Sequence, residues 1–259
     1  MKTIYKRPEI FTDEITTYCG GCGHGIINKL LAEVIDEMGL QKNGTIVWPI
    51  GCSCLSDYYY NMDQFMALHG RGPAAATGMK RAEPNKFVVV YQGDGDEVSE
   101  GMAEIMHAFI RSEKFTVIFV NNAIYGMTGA QYAPTTLLGQ HAATAPTGRM
   151  SDNTGYPVRM AELAASMPGV VYSERCAVNS PAHIIQAKKA IKKAFELQLK
   201  GEGLTFVEIL SMCPTGWSVK PVKALDFVEE KMIPIYPLGV KKDESEGIAD
   251  QEREEEEKI

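Results

Sequence analysis

Two short apolar runs, each ending in a polar motif, constrain this chain more than any other feature. Phe87-Val88-Val89-Val90-Tyr91 leads into Gly93-Asp94-Gly95-Asp96, and Phe115-Thr116-Val117-Ile118-Phe119-Val120 leads into Asn121-Asn122. Both runs are rich in β-branched and aromatic residues and are bounded by turn formers, so they read as buried strands of a parallel sheet. Between them, Glu100 to Ser112 carries Met102, Ile105, Met106 and Phe109 at helical spacing. This strand, glycine-rich turn, helix and strand predict an α/β fold, a parallel sheet with helices on both faces. Such sheets bind ligands beyond the carboxyl ends of their strands. Asp94 and Asn122, 28 residues apart, bring a carboxylate and an amide oxygen to that edge. Mg²⁺ takes hard oxygen ligands and completes its shell with water and substrate phosphate. Asp94, Asn122 and a nearby backbone carbonyl can therefore hold Mg²⁺ against a diphosphate.

The rest of the chain has room for one large domain. Ile26 to Met38 reads as an amphipathic helix stopped by Gly39, and Thr45 to Ile50 as a strand. Small residues mark a helix over Gly72 to Arg81. Residues 129–157 are rich in Thr, Ala, Gly and Pro and read as a long irregular segment, the kind that often carries function. A short helix over 158–166, strand pieces at 170–172 and 176–178, and a long helix from Pro181 to Leu199 capped by Ser180 follow. Leu204 to Leu210 is a final buried strand, and Asp226 to Met232 a last short helix. Residues 1–240 are expected to form the domain. Residues 241–259, with nine acidic against four basic side chains, read as an acidic mobile tail that accounts for −5 of the net charge of −7. No basic cluster suits nucleic acid, and no apolar run of 18 residues suits a membrane. With no signal-peptide pattern at its start, the chain is expected in the cytoplasm.

Six cysteines in such a chain are poor candidates for structural disulfides. Cys19 and Cys22 form a C-x-x-C pair, and Cys52 and Cys213 each follow a strand end. Four thiolates suit either Zn²⁺ or a [4Fe–4S] cluster, and their spacing does not separate the two. Cys176 lies in a strand-like run and reads as a small buried hydrophobe. His24, His107, His141 and His183 show no partner in the sequence, and no chemistry is assigned to them.

Gly-Asp-Gly followed downstream by Asn-Asn resembles the thiamine diphosphate motif. The likeness then widens. Tyr18-Cys19-Gly20-Gly21-Cys22-Gly23-His24-Gly25, Ile50-Gly51-Cys52-Ser53, His69-Gly70-Arg71, Asn121 to Gln131 and Cys213-Pro214-Thr215 are similar, in the same order, to segments of the β subunits of 2-oxoacid:ferredoxin oxidoreductases. The matching motifs span residues 15–240. Gly20 stands where Pro is common in that family, and Ala130 where a second Gly is common.

The resemblance implies a thiamine diphosphate-binding fold and a set of site residues. Asp94, Asn122 and the Ile124 carbonyl are implied as Mg²⁺ ligands, and Cys19, Cys22, Cys52 and Cys213 as ligands of one [4Fe–4S] cluster, with Cys54 the alternative to Cys52. Ile50, Gly51, Cys52 and Ser53 are expected along the thiamine pyrimidine. Gly93, Gly95 and Asp96 form the turn that meets the diphosphate, at a helix start suited to anions. His69 and Arg71 are expected to reach the diphosphate. Gly126 and Met127 lie against the cofactor, Met127 being the bulky residue over which it bends. The glutamate that activates the pyrimidine is expected on a partner α subunit carrying pyrimidine-binding and γ-type domains. The implied reaction is oxidative decarboxylation of a branched-chain 2-oxoacid or 2-oxoglutarate with coenzyme A, electrons passing to ferredoxin. Two rivals are a non-redox thiamine-dependent decarboxylase or synthase subunit and a zinc-stapled structural subunit.

Overall fold

A computed structural model describes residues 6–245. Its centre is a seven-stranded sheet of β1 (Gly44–Pro49), β2 (Asp63–Ala67), β3 (Phe87–Gly93), β4 (Thr116–Asn121), β5 (Val170–Ala177), β6 (Leu204–Leu210) and β7 (Gly239–Asp243). The spatial order is β2-β1-β3-β4-β6-β5-β7, and all neighbours are parallel except β5 and β7. Every residue of β1, β4, β5 and β6 is buried, as expected where helices cover both sheet faces.

Helices α1 (Gly23–Met38) and α6 (Pro181–Lys200) share one apolar core with Trp48, Val89, Tyr91, Val120 and Ile209. On the opposite face, α2 (Gly72–Ala82), α3 (Met102–Ile110) and α5 (Met160–Ala165), which follows the single turn α4 (Ser151–Thr154), pack on Val88, Val90, Val117, Phe119 and Phe206. Local chemistry sets the helix ends. Gly39 closes α1 at φ 66°, a left-handed conformation that costs glycine little, and its amide reaches the Asp36 and Ile35 carbonyls. Ser180 accepts the His183 amide at the start of α6, with Pro181 next to it.

The structure departs from the sequence reading in several places. Helix α1 begins at Gly23, one turn earlier than its apolar periodicity. Cys52–Tyr59 forms a 3-10 helix where no element was expected. The last helical segment, α7, starts at Pro221 rather than Asp226 and continues through a wide turn at Val228–Met232 into α8 (Ile233–Ile235). Strand β7 takes in residues 241–243, so the ordered body runs past residue 240. The remainder of the acidic segment, 246–259, lies outside the described residues. Among the described residues no helix is long and apolar enough to cross a membrane.

The chain passes from β1 outward to β2, then returns to β3 on the other side of β1. This reversal opens a crevice between β1 and β3, where open α/β sheets take their ligands. A buried ionic row lies beneath the same edge. Arg175 on β5 and Glu208 on β6, both fully buried, are 2.8 Å apart. Arg175 also donates to Glu162 of α5 at 2.8 Å, and Glu208 accepts from Asn121 Nδ2 at 2.8 Å. Burial opposes the charge on Arg175, but the Glu208 and Glu162 carboxylates outweigh it and raise its pKa. Removing one member leaves a buried charge unpaired. Arg175→Met is therefore expected to cost roughly 3–5 kcal/mol, read as a lower urea midpoint, whereas Lys29→Met on the surface shifts it by well under about 1 kcal/mol. Equal midpoints for the two variants would contradict this account.

Candidate active site and cysteine cluster

Gly93 of β3 faces Val120 of β4 in the parallel ladder, so both chains leave the sheet at one level. The next residue, Asp94, is buried at 2% exposure. It accepts from the Gly95 amide at 2.9 Å, the Ile124 amide at 3.2 Å and the Thr135 hydroxyl at 2.5 Å. Burial pushes its carboxyl up to about 6 in spite of these donors. From β4, Asn122 turns its side-chain oxygen to the same Ile124 amide at 3.3 Å. Ala123 between them sits at φ 56° and is held by Thr136 and Gln140, which donate to its carbonyl at 2.7 and 2.9 Å. Trp217 Nε1 fixes the Asn122 carbonyl at 3.0 Å. Among the described residues the Ile124 carbonyl has no hydrogen-bond donor. Asp94, Asn122 and Ile124 are thus gathered at one spot, with oxygen atoms of the kind a hard cation takes.

One cleft collects nearly all the expected cofactor residues. Ile50, Gly51, Cys52 and Ser53 beyond β1, His69 after β2, Gly93 to Asp96, and Asn122, Ile124, Gly126 and Met127 all line it. Glycine at 95 has a steric reason, since a Cβ there would stand 2.2 Å from the Tyr125 ring. The Tyr125 hydroxyl in turn lies 3.0 Å from the Gly95 carbonyl and 2.7 Å from Glu100. Asp96 binds the His69 ring at 2.7 Å and the Gly70 amide at 2.6 Å, which raises the pKa of His69 and favours its charged form.

Arg71 is the exception. Its guanidinium reaches the Glu100 carbonyl at 2.8 Å and Glu104 at 2.9 Å, so it is tied to α3 and does not line the cleft. The next residue after Asp96, Glu97, is fully buried, and among the described residues both its carboxylate oxygens lack a partner.

His24, which the sequence reading left unassigned, also lines the cleft. It is 2% exposed, stacks on Tyr18 at 5.1 Å and 6°, and contacts the Tyr91 hydroxyl through Nδ1 at 2.7 Å. Burial lowers its pKa to about 4, so the ring is neutral at ordinary pH. Its position two residues after Cys22 was the only signal in the sequence.

Cys52 and Cys213 meet beside this cleft. A Cβ on Gly126 would stand 3.0 Å from Cys213 Sγ and 3.8 Å from Cys52 Sγ, so both sulfurs flank one point on the cofactor loop. Gly216 leaves similar room, 2.8 Å from Cys213 Sγ. The C-x-x-C loop is docked by the Gly23 amide on the Met212 carbonyl at 3.0 Å, next to Cys213. Burial, with lesser repulsion from neighbouring cysteines, raises Cys22 to about 11 and Cys52 and Cys213 to about 12. Cys19, Cys22, Cys52 and Cys54 all contribute to these mutual effects, and Cys54 also donates its thiol to the Gly51 carbonyl at 3.1 Å. Thiols so buried ionise only when cations share the space. Among the described residues no three His, Cys, Asp or Glu side chains converge closely enough to hold a single ion. A tetrahedral Zn²⁺ would draw its sulfurs to about 3.8 Å from one another, given Zn–S bonds of about 2.3 Å. Cys176 is buried in the core, 1% exposed.

Comparison with known proteins agrees with this geometry. Residues 49–209 match the family described as thiamine pyrophosphate enzyme, C-terminal TPP binding domain. Ketoisovalerate oxidoreductase subunit VorA of Methanothermobacter thermautotrophicus is 43% identical over 242 residues, 93% of this chain and 51% of that protein. The chain thus spans about half the length of that relative. The 2-oxoglutarate synthase subunit KorB of Methanocaldococcus jannaschii is 39% identical over 222 residues, 83% of this chain and 78% of that protein. Among solved structures, 2-oxoglutarate:ferredoxin oxidoreductase from Magnetococcus marinus, with 2-oxoglutarate, coenzyme A and succinyl-CoA bound, superposes with a TM-score of 0.74 at 28% identity, covering 88% of this chain and 73% of that one.

Among the described residues Asp94 offers the only carboxylate at the gathered oxygens, so Asp94→Asn should weaken thiamine diphosphate binding measured with Mg²⁺ present by roughly two orders of magnitude, about 2.7 kcal/mol. Because the metal-free carboxyl titrates near 6, proton and metal compete below that pH. Wild-type affinity, measured by calorimetry, should fall about tenfold per pH unit below 6 and level off above it. A pH-independent affinity would remove Asp94 from the metal site.

Proposed function

Because the chain belongs to the 2-oxoacid:ferredoxin oxidoreductase family as a thiamine diphosphate-binding subunit, we propose that it works in the oxidative decarboxylation of a branched-chain 2-oxoacid, with coenzyme A taking the acyl group and ferredoxin the two electrons. Cys52 carries this reading, since it lines the cofactor cleft and also stands with Cys213 against Gly126. One residue thus joins a diphosphate–metal site to a cysteine cluster.

Asp94, Asn122 and the Ile124 carbonyl would hold Mg²⁺ against thiamine diphosphate, and Cys19, Cys22, Cys52 and Cys213 would hold a [4Fe–4S] cluster. The thiamine supplies a nucleophilic carbon and an electron sink, and the cluster accepts electrons singly. The protein's own contribution is position and dryness. His69, held by Asp96, brings positive charge to the diphosphate side of the cleft. Gly95 and Gly126 let backbone approach where any side chain would collide. Ile50, Ile124 and Met127 give the cleft apolar walls. Among the described residues no lysine or arginine lines it, which favours an apolar substrate tail over the second carboxylate of 2-oxoglutarate.

A partner chain is part of this proposal. Among the described residues no glutamate lines the cleft, although thiamine chemistry needs a carboxylate on its pyrimidine. An α-type subunit would supply it and close the cleft against water. The 259-residue chain alone is therefore expected to show no 2-oxoacid-dependent viologen reduction, and turnover should return when the partner is added under anaerobic conditions. A panel of 2-oxoacids tests the substrate, and faster turnover of 2-oxoglutarate than of 3-methyl-2-oxobutanoate would refute the branched-chain assignment.

The cluster has its own test in iron content. Cys19→Ser, Cys52→Ser and Cys213→Ser should each lose most of about four irons per chain, while Cys54→Ser and Cys176→Ser keep them. Equal loss in all five, or stoichiometric zinc in the wild type, would overturn the ligand set.

A further inference from the structure

Within the cleft the His24 side chain is fixed on its ring face and at one of its two nitrogens. Its ring lies flat on Tyr18, and its Nδ1 is taken by Tyr91. Among the described residues its Nε2 has no hydrogen-bond partner. The ring is 98% enclosed, yet it lines the same cleft as Asp94, Asn122 and Cys52.

Neighbouring bonds also decide which nitrogen carries the proton. Asn28 Nδ2 donates to the His24 carbonyl at 2.9 Å, and a carbonyl can only accept, so the amide orientation of Asn28 is set. The same Nδ2 lies 3.4 Å from the Tyr91 hydroxyl and 3.5 Å from the Tyr18 hydroxyl, and toward it both hydroxyl oxygens can only accept. Among the described residues His24 Nδ1 is the one acceptor within reach of the Tyr91 proton, which is therefore donated there. A neutral imidazole that accepts at Nδ1 carries its hydrogen on Nε2.

On the function proposed above, we infer that His24 Nε2–H donates a hydrogen bond to the ketone oxygen of the bound 2-oxoacid. That oxygen gains negative charge when its carbon is attacked, and a fixed donor in a dry cleft stabilises such charge without having to reorganise. Tyr91 and Asn28 are positioning residues, because they act on the ligand only by holding the imidazole and its proton.

The discriminating variants are His24→Gln and His24→Asn in the complex assembled with its partner chain. A glutamine amide nitrogen reaches the place of Nε2, whereas an asparagine amide reaches only as far as Nδ1. His24→Asn should lower kcat by about 100-fold and His24→Gln by no more than about tenfold, the scale of losing one such donor. Tyr91→Phe should fall between them. Thiamine and iron contents should match the wild type in all three, and the phosphonate analogue of 3-methyl-2-oxobutanoate should bind more weakly to His24→Asn, as measured by calorimetry. Unchanged turnover and analogue binding in His24→Asn would overturn the inference. So would parallel losses of thiamine, iron and activity in both variants, which mark a packing role. A wild-type complex with full cofactor content but no turnover of any 2-oxoacid would instead sink the proposed function, and this inference with it.

Discussion

The site depends on the register of two neighbouring strands. Gly93 faces Val120, so Asp94 and Asn122 emerge together and share the amide of Ile124. A slip of one residue would turn each side chain to the opposite face of the sheet and separate the two oxygens. The register is itself secured from below, where Asn121 is bonded to Glu208 and Glu208 to Arg175. The charged row under the sheet edge thus steadies the loop that carries the amide oxygen.

Glycine acts here as a spacer between two chemistries. Gly95 yields to the Tyr125 ring, and Gly126 leaves room for the sulfurs of Cys52 and Cys213. Cofactor loop and cysteines can then approach to near van der Waals contact, with Cys52 belonging to both. Such closeness suits electron transfer from a carbon-centred reaction to a metal cluster, and it needs very little polypeptide between them.

Most of this was legible in the sequence because it rested on buried parallel strands, whose apolar runs are unmistakable. β1, β3, β4 and β6 all stand where those runs predict. β2 and β7 were missed because both lie at sheet edges, half exposed, and Asp63-Gln64-Phe65-Met66-Ala67 and Gly239-Val240-Lys241-Lys242-Asp243 carry neither an apolar run nor a clean alternation. Arg71, expected at the diphosphate, is held by the Glu100 carbonyl and by Glu104 of α3, tertiary contacts that no local motif encodes. His24 was overlooked for the same reason, since its partner Tyr91 lies 67 residues away. Cys52 lines the cleft while the Cys54 thiol turns back to the Gly51 carbonyl, a difference made by the 3-10 helix that spacing does not encode.

The unpartnered carboxyl of Glu97 changes what the formal charge of −7 means. Burial, reinforced by Asp96 and Glu208, raises its pKa well above the usual carboxylate range, so the folded chain holds a proton there to higher pH than the unfolded chain does. Folding at a pH between the unfolded and the raised value is thus coupled to proton uptake from water. The folded state is favoured at this position when pH is low enough to protonate Glu97 in both states, and that advantage is lost as pH rises through the raised value. Rising pH therefore opposes this fold from within, at Glu97 as at the buried Asp94.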